Sequence, residues 1–388
     1  MRNFHYSIPT EIYFGKGQIS KLSEAVKKYG NKVLMVYGGG SIKKMGLYDK
    51  VLALLKDADI EVVELGGVDP NPRVTSVEEG AKLCRENNIE VILAVGGGST
   101  IDCAKAIGAA CYYDGEPWDI VANTSKITKV LPVISVLTLS ATGSEMDPFA
   151  VISNMDTNEK LGMANEGMRP KASILDPEYT YSVPKNQTAA GTADIMSHIF
   201  EEYFSAERNA YVQDRMAEAL LKTCIKYGDI AVKDPNNYEA RANLMWASSL
   251  AINGILDCGK NNAWSVHPME HELSAFYDIT HGVGLAILTP HWMRYVLNED
   301  NVDKFVEYGV NVWDIDKNLD RYDIANKAID MTKKFFTENL EIPETLREVG
   351  IGEEKLELMA KQATRFGAIG SFELLEAKDV LNIYKAAL

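Results

Sequence analysis

Between residues 33 and 137, short β-branched runs alternate with stretches whose apolar residues recur at helical spacing. The runs are VLMVY (33–37), IEVVEL (60–65), IEVILAV (89–95) and VLPVISVL (130–137); the helical stretches are 18–29, 42–57, 74–87 and 100–113. Near-continuous apolar runs fit strands buried on both faces, and the segments between them are long enough for crossover helices. This predicts a parallel α/β sheet. After about residue 185 the runs stop. Long amphipathic stretches follow at 186–206, 210–230, 236–257, 266–277, 301–311, 320–339, 352–365 and 376–387. The pattern predicts an α/β domain over 1–184 and an all-helical domain over 185–388. They meet at Pro184, with Asn186 or Thr188 placed to cap the next helix. The N-terminal FHYSIPTEIYF reads either as an edge strand of this sheet or as a strand pairing across a two-fold axis.

Composition narrows the classes. A chain of 388 residues exceeds one ordinary core, and 46% hydrophobic with 24% charged residues is a normal globular balance. No apolar run approaches the ~18 residues of a membrane span, and the N-terminus lacks a basic-then-apolar signal pattern, so a cytoplasmic location is expected. Five cysteines, at 84, 103, 111, 224 and 258, form no C-x-x-C pair and read as reduced thiols. A net charge of −15 excludes nucleic acid as a partner. An anionic ligand must then be held locally, by helix N-termini and a few lysines.

Such a place exists twice. VLMVY-GGGS-IKK at 33–44 and VILAV-GGGS-TIDCAK at 91–105 each read strand, three glycines and a serine, then helix. Glycines let backbone approach a ligand closely, and the N–H groups opening a helix favour phosphate. Neither turn is a G-x-G-x-x-G fingerprint, yet two of them suit the pyrophosphate and ribose contacts of a dinucleotide in a Rossmann-like domain. The first of these strands ends Val36-Tyr37-Gly38 without the acid that grips a 2′-OH, and Ser41, Lys43 and Lys44 follow, which leans toward NADP(H) over NAD(H). The hydroxyl-rich Thr138–Ser144, after the strand at 130–137, reads as crevice lining or as helix caps.

The helical half carries four of the six histidines in two stretches, GTADIMSH (191–198) and SVHPMEHELSAFYDITHG (265–282). Asp194 and His198, four apart on a helix, lie roughly 5–6 Å from each other. His267 and His281 could complete a set of three imidazoles and one carboxylate, which suits Fe²⁺ or Zn²⁺ rather than Ca²⁺ or Mg²⁺. Spacing alone does not separate His267 from His271 as the ligand. His267–His271 spells H-x-x-E-H, a zinc-peptidase string, but Pro268 is expected to interrupt the helix that would align the pair, and glycine turns serve no peptidase.

Asp194-x3-His198, the HPMEHELS and DITHGVGLA segments and the GGGS-x-x-D turn resemble the iron-containing (group III) alcohol dehydrogenases, especially the clostridial-type NAD(P)H-dependent butanol dehydrogenases. The resemblance runs from SIPTEIYFG to the end of the helical half. It implies a metal held by Asp194, His198, His267 and His281, with His271 in the pocket as a proton relay. It further implies cofactor contacts at Gly97, Gly98, Ser99, Asp102, Thr138, Thr142 and Lys160, with Asn71 and the turn of Gly38, Gly39 and Ser41 near the adenosine. The implied activity is reversible hydride transfer between NAD(P)(H) and a short-chain primary alcohol or aldehyde, in a homodimer, with the metal as a Lewis acid on the substrate oxygen. Rival readings are a glycerol or diol dehydrogenase, a dehydroquinate synthase-like lyase and a catalytically silent nucleotide- or metal-binding sensor. The lyase needs several cations near the metal, where Trp264, Met269, Phe276 and Tyr277 stand instead.

Overall fold

The computed structural model describes residues 1–261 and 263–388. The chain divides into two compact units, Ser7–Val183 and a second made of Met1–Tyr6 with Pro184–Leu388. The patterning puts all of 1–184 in the first domain; the structure moves the first six residues to the helices. There the Arg2 N–H donates to Gly259 O at 2.7 Å, and its guanidinium pairs with Glu207.

The strands of the first unit are β1 (Glu11–Phe14), β2 (Lys32–Gly38), β3 (Glu61–Val68), β4 (Val91–Gly96), β5 (Val133–Leu137), β6 (Phe149–Asn154), β7 (Glu159–Ala164) and β8 (Ala172–Leu175). Its helices are α1 (Leu22–Lys27), α2 (Ser41–Lys44), α3 (Leu47–Asp57), α4 (Val74–Asn87), α5 (Gly98–Ala110) and α6 (Pro117–Ala122). Six strands form a sheet in the order β1-β8-β5-β4-β2-β3, parallel at every pairing, and β6 and β7 form a separate antiparallel hairpin. Val33, Met35, Leu93 and Val95 pack with α1 and α3 on one face. The alternate Leu34, Val36, Ile92 and Ala94 are buried as well. That two-sided burial is why these runs are apolar at every position. N-terminal Glu11–Phe14 is an edge strand of this sheet, paired with β8.

The strand order places a topological switch point between β2 and β4. The chain leaves β2 for β3 on one side, crosses back to β4, then proceeds to β5 on the other side. Crossovers of one hand running in opposite directions put their helices on opposite faces and open a crevice at the strand C-termini. Both glycine turns follow these two strands.

Behind the second turn lies a buried cation. Lys105 on α5 donates to Asp147 Oδ1 at 2.9 Å, Ser144 Oγ at 2.8 Å and Phe149 O at 2.7 Å, all three of its protons used. It ties α5 to the loop between β5 and β6.

The second unit is built of α7 (Lys185–Tyr203), α8 (Tyr211–Lys233), α9 (Tyr238–Ile252), α10 (Val266–Tyr277), α11 (His281–Val296), α12 (Val302–Trp313), α13 (Arg321–Lys334), α14 (Leu356–Ala363) and α15 (Ala377–Ala386). Phe200, Tyr203, Phe204, Trp292, Phe305, Tyr308 and Phe372 form one edge-to-face aromatic cluster in its core. Three local expectations change. Neither Asn186 nor Thr188 caps α7, because the helix begins directly after Pro184; Thr188 lies inside it and accepts from Arg241 at 2.9 Å. Helix α11 runs through Gly282, Gly284 and Pro290, residues whose low propensity hides it in the sequence, and burial of 284–290 outweighs that cost. Pro268 does not interrupt α10: it sits in the first turn, where its missing N–H has no intrahelical acceptor to lose.

Lys105→Met should cost about 3–5 kcal/mol, because it strands the Asp147 carboxylate in the interior. Burial pushes this carboxyl up and Lys105 pulls it down. Without Lys105 the ionised form is the penalised one, so the loss should be greatest above neutral pH and shrink on acidification, as the group protonates. Urea unfolding followed by circular dichroism across pH checks both magnitude and slope.

Candidate metal centre and cofactor turns

Three helices bring the sequence-predicted ligands together. Asp194 and His198 are both buried on α7, His267 is buried in the first turn of α10, and half-buried His281 is the first residue of α11. From Asp194 Oδ1, His198 Nδ1 is 3.7 Å away, His281 Nε2 3.8 Å and His267 Nε2 4.0 Å. The His198 and His267 rings stack at 4.6 Å between centroids. Ligand atoms of Asp194, His267 and His281 all lie within 4.8 Å of one another. Two of the inward atoms, His198 Nδ1 and His267 Nε2, are buried and find no hydrogen-bond partner among the described residues. Burial, followed by the neighbouring His267 and His281, holds the His198 imidazole well below its usual pKa and therefore neutral. Imidazole nitrogens turned toward a shared carboxylate are the donor set of a borderline divalent ion, so the residues fit the group the sequence implied.

Two further carboxylates set the ring orientations. Glu201, buried on α7, accepts from the backbone N–H groups of Ser265, Val266 and His267 at 2.9, 2.8 and 2.9 Å. It thus anchors the start of α10 as an anion at a helix N-terminus. The same carboxylate faces His267 Nδ1 at 3.1 Å, so that nitrogen carries the proton and Nε2 is left as a donor of electrons. Glu270 repeats the arrangement: it accepts from His281 Nδ1 through one oxygen and from Ser274 through the other. Trp264 lies against His198 and His267, 5.6 and 4.6 Å between centroids, with its Nε1–H on Glu202 Oε1 at 3.1 Å.

His271 is half-buried beside this group. Its ring is 5.7 Å from that of His281 and 6.4 Å from that of His267. It shares α10 with His267, one turn further along the helix.

Helix α11 approaches α7 through glycine. A methyl group on Gly282 would lie 2.0 Å from Ala190 O, one turn before Asp194, and one on Gly284 would strike Glu270. Only glycine lets the backbones close to a distance at which His281 reaches Asp194.

In the α/β unit, Gly97, Gly98 and Ser99 open α5 at the end of β4. Thr138 N–H donates to Gly96 O at 3.0 Å, and a Cβ on Gly98 would overlap Thr142, so the hydroxyl-rich loop lies directly against this turn. Asp102, on the same first turns, accepts from Ser144 Oγ at 2.5 Å and from Val151 N at 2.9 Å; loss of hydration pushes its carboxyl up to about 6, even with Lys105 nearby. Gly38 lies near Thr100 of α5, so the first glycine turn is brought to the second; Gly39 is open, and Gly40 takes a positive φ of 104° before Ser41. Lys43 is drawn over Tyr37 and Tyr48, 5.0 and 4.6 Å from their centroids, and both hydroxyls bond Glu64. The segment that follows Asn71 bridges to the hairpin that carries buried Lys160: Arg73 pairs with Ser153, the strand partner of Lys160, and the Ser153 N–H donates to Pro72 O at 2.8 Å.

A model of the iron-containing alcohol dehydrogenases matches residues 9–177, and one of the C-terminal part of the Fe-containing alcohol dehydrogenase family matches 188–388. The chain belongs to the iron-containing alcohol dehydrogenase family. It is 65% identical to NADH-dependent butanol dehydrogenase A of Clostridium acetobutylicum over 99% of both chains. It is 39% identical to the NADPH-dependent aldehyde reductase YqhD of Escherichia coli over the whole of both. The crystal structure of NADH-dependent butanol dehydrogenase A from Thermotoga maritima superposes with a TM-score of 0.95 at 38% identity, covering 100% of this chain and 99% of that one.

In this chain, sequence reasoning passes over Glu201, Glu270 and Gly282. A signal for Glu201 exists: it follows Asp194 by seven and His198 by three, on one helical face. Glu201→Gln should keep the fold and weaken metal retention about 10–100-fold, read by equilibrium dialysis with metal analysis alongside an unchanged circular dichroism spectrum.

Proposed function

We propose that this chain is a metal-dependent alcohol dehydrogenase and aldehyde reductase. It would move a hydride reversibly between a nicotinamide cofactor and a short-chain primary alcohol or aldehyde of the butanol/butyraldehyde type. The observation that carries the reading is the convergence of three imidazoles on Asp194, with buried His198 Nδ1 and His267 Nε2 turned inward. Asp194, His198, His267 and His281 hold the ion, Fe²⁺ by family, although the donors accept Zn²⁺ as well. When bound, the ion supplies Lewis-acid polarisation of the substrate oxygen, and the nicotinamide supplies the hydride chemistry.

The protein's own part is orientation and proton handling. Glu201 and Glu270 keep two imidazoles aimed, and Trp264 gives the centre an apolar wall. His271, beside His281, is placed to take or return the substrate hydroxyl proton. The N–H groups of Gly97, Gly98 and Ser99 receive the pyrophosphate, with Asp102, Thr138 and Thr142 lining the same turn. Gly38, Gly39, Ser41, Asn71 and Lys160 serve the rest of the dinucleotide.

For the cofactor we favour NADP(H). The turn at 38–41 brings a hydroxyl and no carboxylate, with Lys44 beyond it. The opposing observation is that Lys43 is engaged by Tyr37 and Tyr48, and the 65% identical relative is named NADH-dependent. The reading also includes a cytoplasmic homodimer, a mass that light scattering measures directly.

Steady-state kinetics with C2–C6 aldehydes and diols, both cofactors and protein reconstituted with defined metals test the whole. Higher kcat/KM with NADPH is expected, and a clear NADH preference would reverse the cofactor choice. His267→Ala should lose both bound metal and turnover with the helical fold intact; full activity in that metal-free variant would sink the mechanism.

A further inference from the structure

The α/β unit holds two cysteines that the dehydrogenase chemistry does not use. Cys84 lies on the last turn of α4, and Cys111 directly follows α5. The two helices run side by side in the same direction, in successive crossovers of one parallel sheet. They pack tightly at Gly80, where a methyl group would lie 2.4 Å from the Ile107 side chain. One helical turn further along each chain stand Cys84 and Cys111, four residues on from Gly80 and from Ile107. The adjoining residues also meet: Arg85 donates to Ala110 O at 3.3 Å. At this crossing the two sulfurs act on each other, and the pair is pulled apart in acidity, Cys84 up and Cys111 down.

We propose that Cys84 and Cys111 form a peroxide-oxidisable dithiol, closing to a disulfide that joins the C-terminal ends of α4 and α5.

The two sulfurs are unequal in the way such a pair requires. Cys111 is half-exposed and Cys84 is buried. The neighbouring Cys84, helped by the guanidinium of Arg85 and the ammonium of Lys129, brings the Cys111 thiol down to about 7 against the opposing effect of burial. Arg85 and Lys129 also offset the negative end of α5, which by itself disfavours a thiolate. The remaining cysteines have no such surroundings. Cys103 and Cys224 are pushed up to about 12 by burial, and Cys258 is raised as well while donating to Gly254 O at 3.1 Å.

Chemically, the Cys111 thiolate attacks one oxygen of hydrogen peroxide. An S–O bond forms, the O–O bond breaks and hydroxide leaves, giving a sulfenic acid at Cys111. The Cys84 sulfur then attacks the Cys111 sulfur; the S–S bond forms, the S–O bond breaks, and water departs with the Cys84 proton. In sum, two thiols are oxidised and one peroxide is reduced to two waters. A dithiol reductant reverses the step by exchange through a mixed disulfide.

The test uses the full chain reconstituted with Zn²⁺, which avoids iron–peroxide radical chemistry. The native protein is treated with a small excess of hydrogen peroxide, quenched with catalase, then denatured and alkylated for thiol counting and non-reducing peptide mapping. Free thiols should fall from the five present in the chain to three, with one cross-linked peptide pair containing Cys84 and Cys111 that dithiothreitol abolishes. In Cys84→Ser, Cys111 should instead be trapped by dimedone as the sulfenic acid, with no cross-link. The proposal is overturned if wild-type Cys111 takes up dimedone without cross-linking, if Cys258 oxidises while 84 and 111 remain alkylatable, or if the link forms only in denaturant.

Discussion

A buried imidazole presents one nitrogen to a cation, and whatever holds the other nitrogen decides which one. At the centre formed by α7, α10 and α11, that holding is done by carboxylates from within the protein: Glu201 for His267 and Glu270 for His281. Each acid is itself fixed, Glu201 by three backbone N–H groups and Glu270 by Ser274. Glu201 therefore does two things with one charge. It neutralises the positive end of α10 and sets the tautomer of a residue in that helix's first turn, so the position of the helix and the chemistry of its histidine cannot be varied separately.

The α/β unit meets a different demand. The chain carries a net charge of −15, so any anionic ligand has to be held against the overall field. The structure concentrates neutral and partial-positive donors at the switch point between β2 and β4, where two glycine turns adjoin. The one buried lysine of α5 is spent on Asp147 and Ser144. It braces the hydroxyl-rich loop that leans on Gly98.

How much of this was legible follows from how each feature is written in residues. The parallel sheet could be read because strands covered on both faces must be apolar throughout, and β2 to β5 are. Strand β8, four residues of ASIL, and the β6–β7 hairpin could not, since runs so short carry no period. Helix α11 was hidden by Gly282, Gly284 and Pro290, each of which argues locally against a helix while tertiary packing demands one. Pro268 misled in the same way, being read as a break where it opens a helix. The candidate quartet of Asp194, His198, His267 and His281 could be picked out because histidines are few and cluster; the choice of His267 over His271 came from family resemblance, not from spacing. Glu201 was missed for a physical reason. Residues 188–203 of α7 are buried on every side, so the helix lacks the polar face against which an inward-pointing acid would stand out.

The helical unit begins with the first six residues of the chain and resumes only at Pro184, which makes the α/β unit an insertion within it. During synthesis from the N-terminus, Ser7–Val183 is complete before any of α7 has been made, whereas the opening residues must wait for the loop around Gly259 to bind them. Domains tend to fold as they emerge. The order of translation therefore makes the α/β half available first, and His281, the last of the four inward-facing groups to be synthesised, completes their cluster only after α7 and α10 have been made.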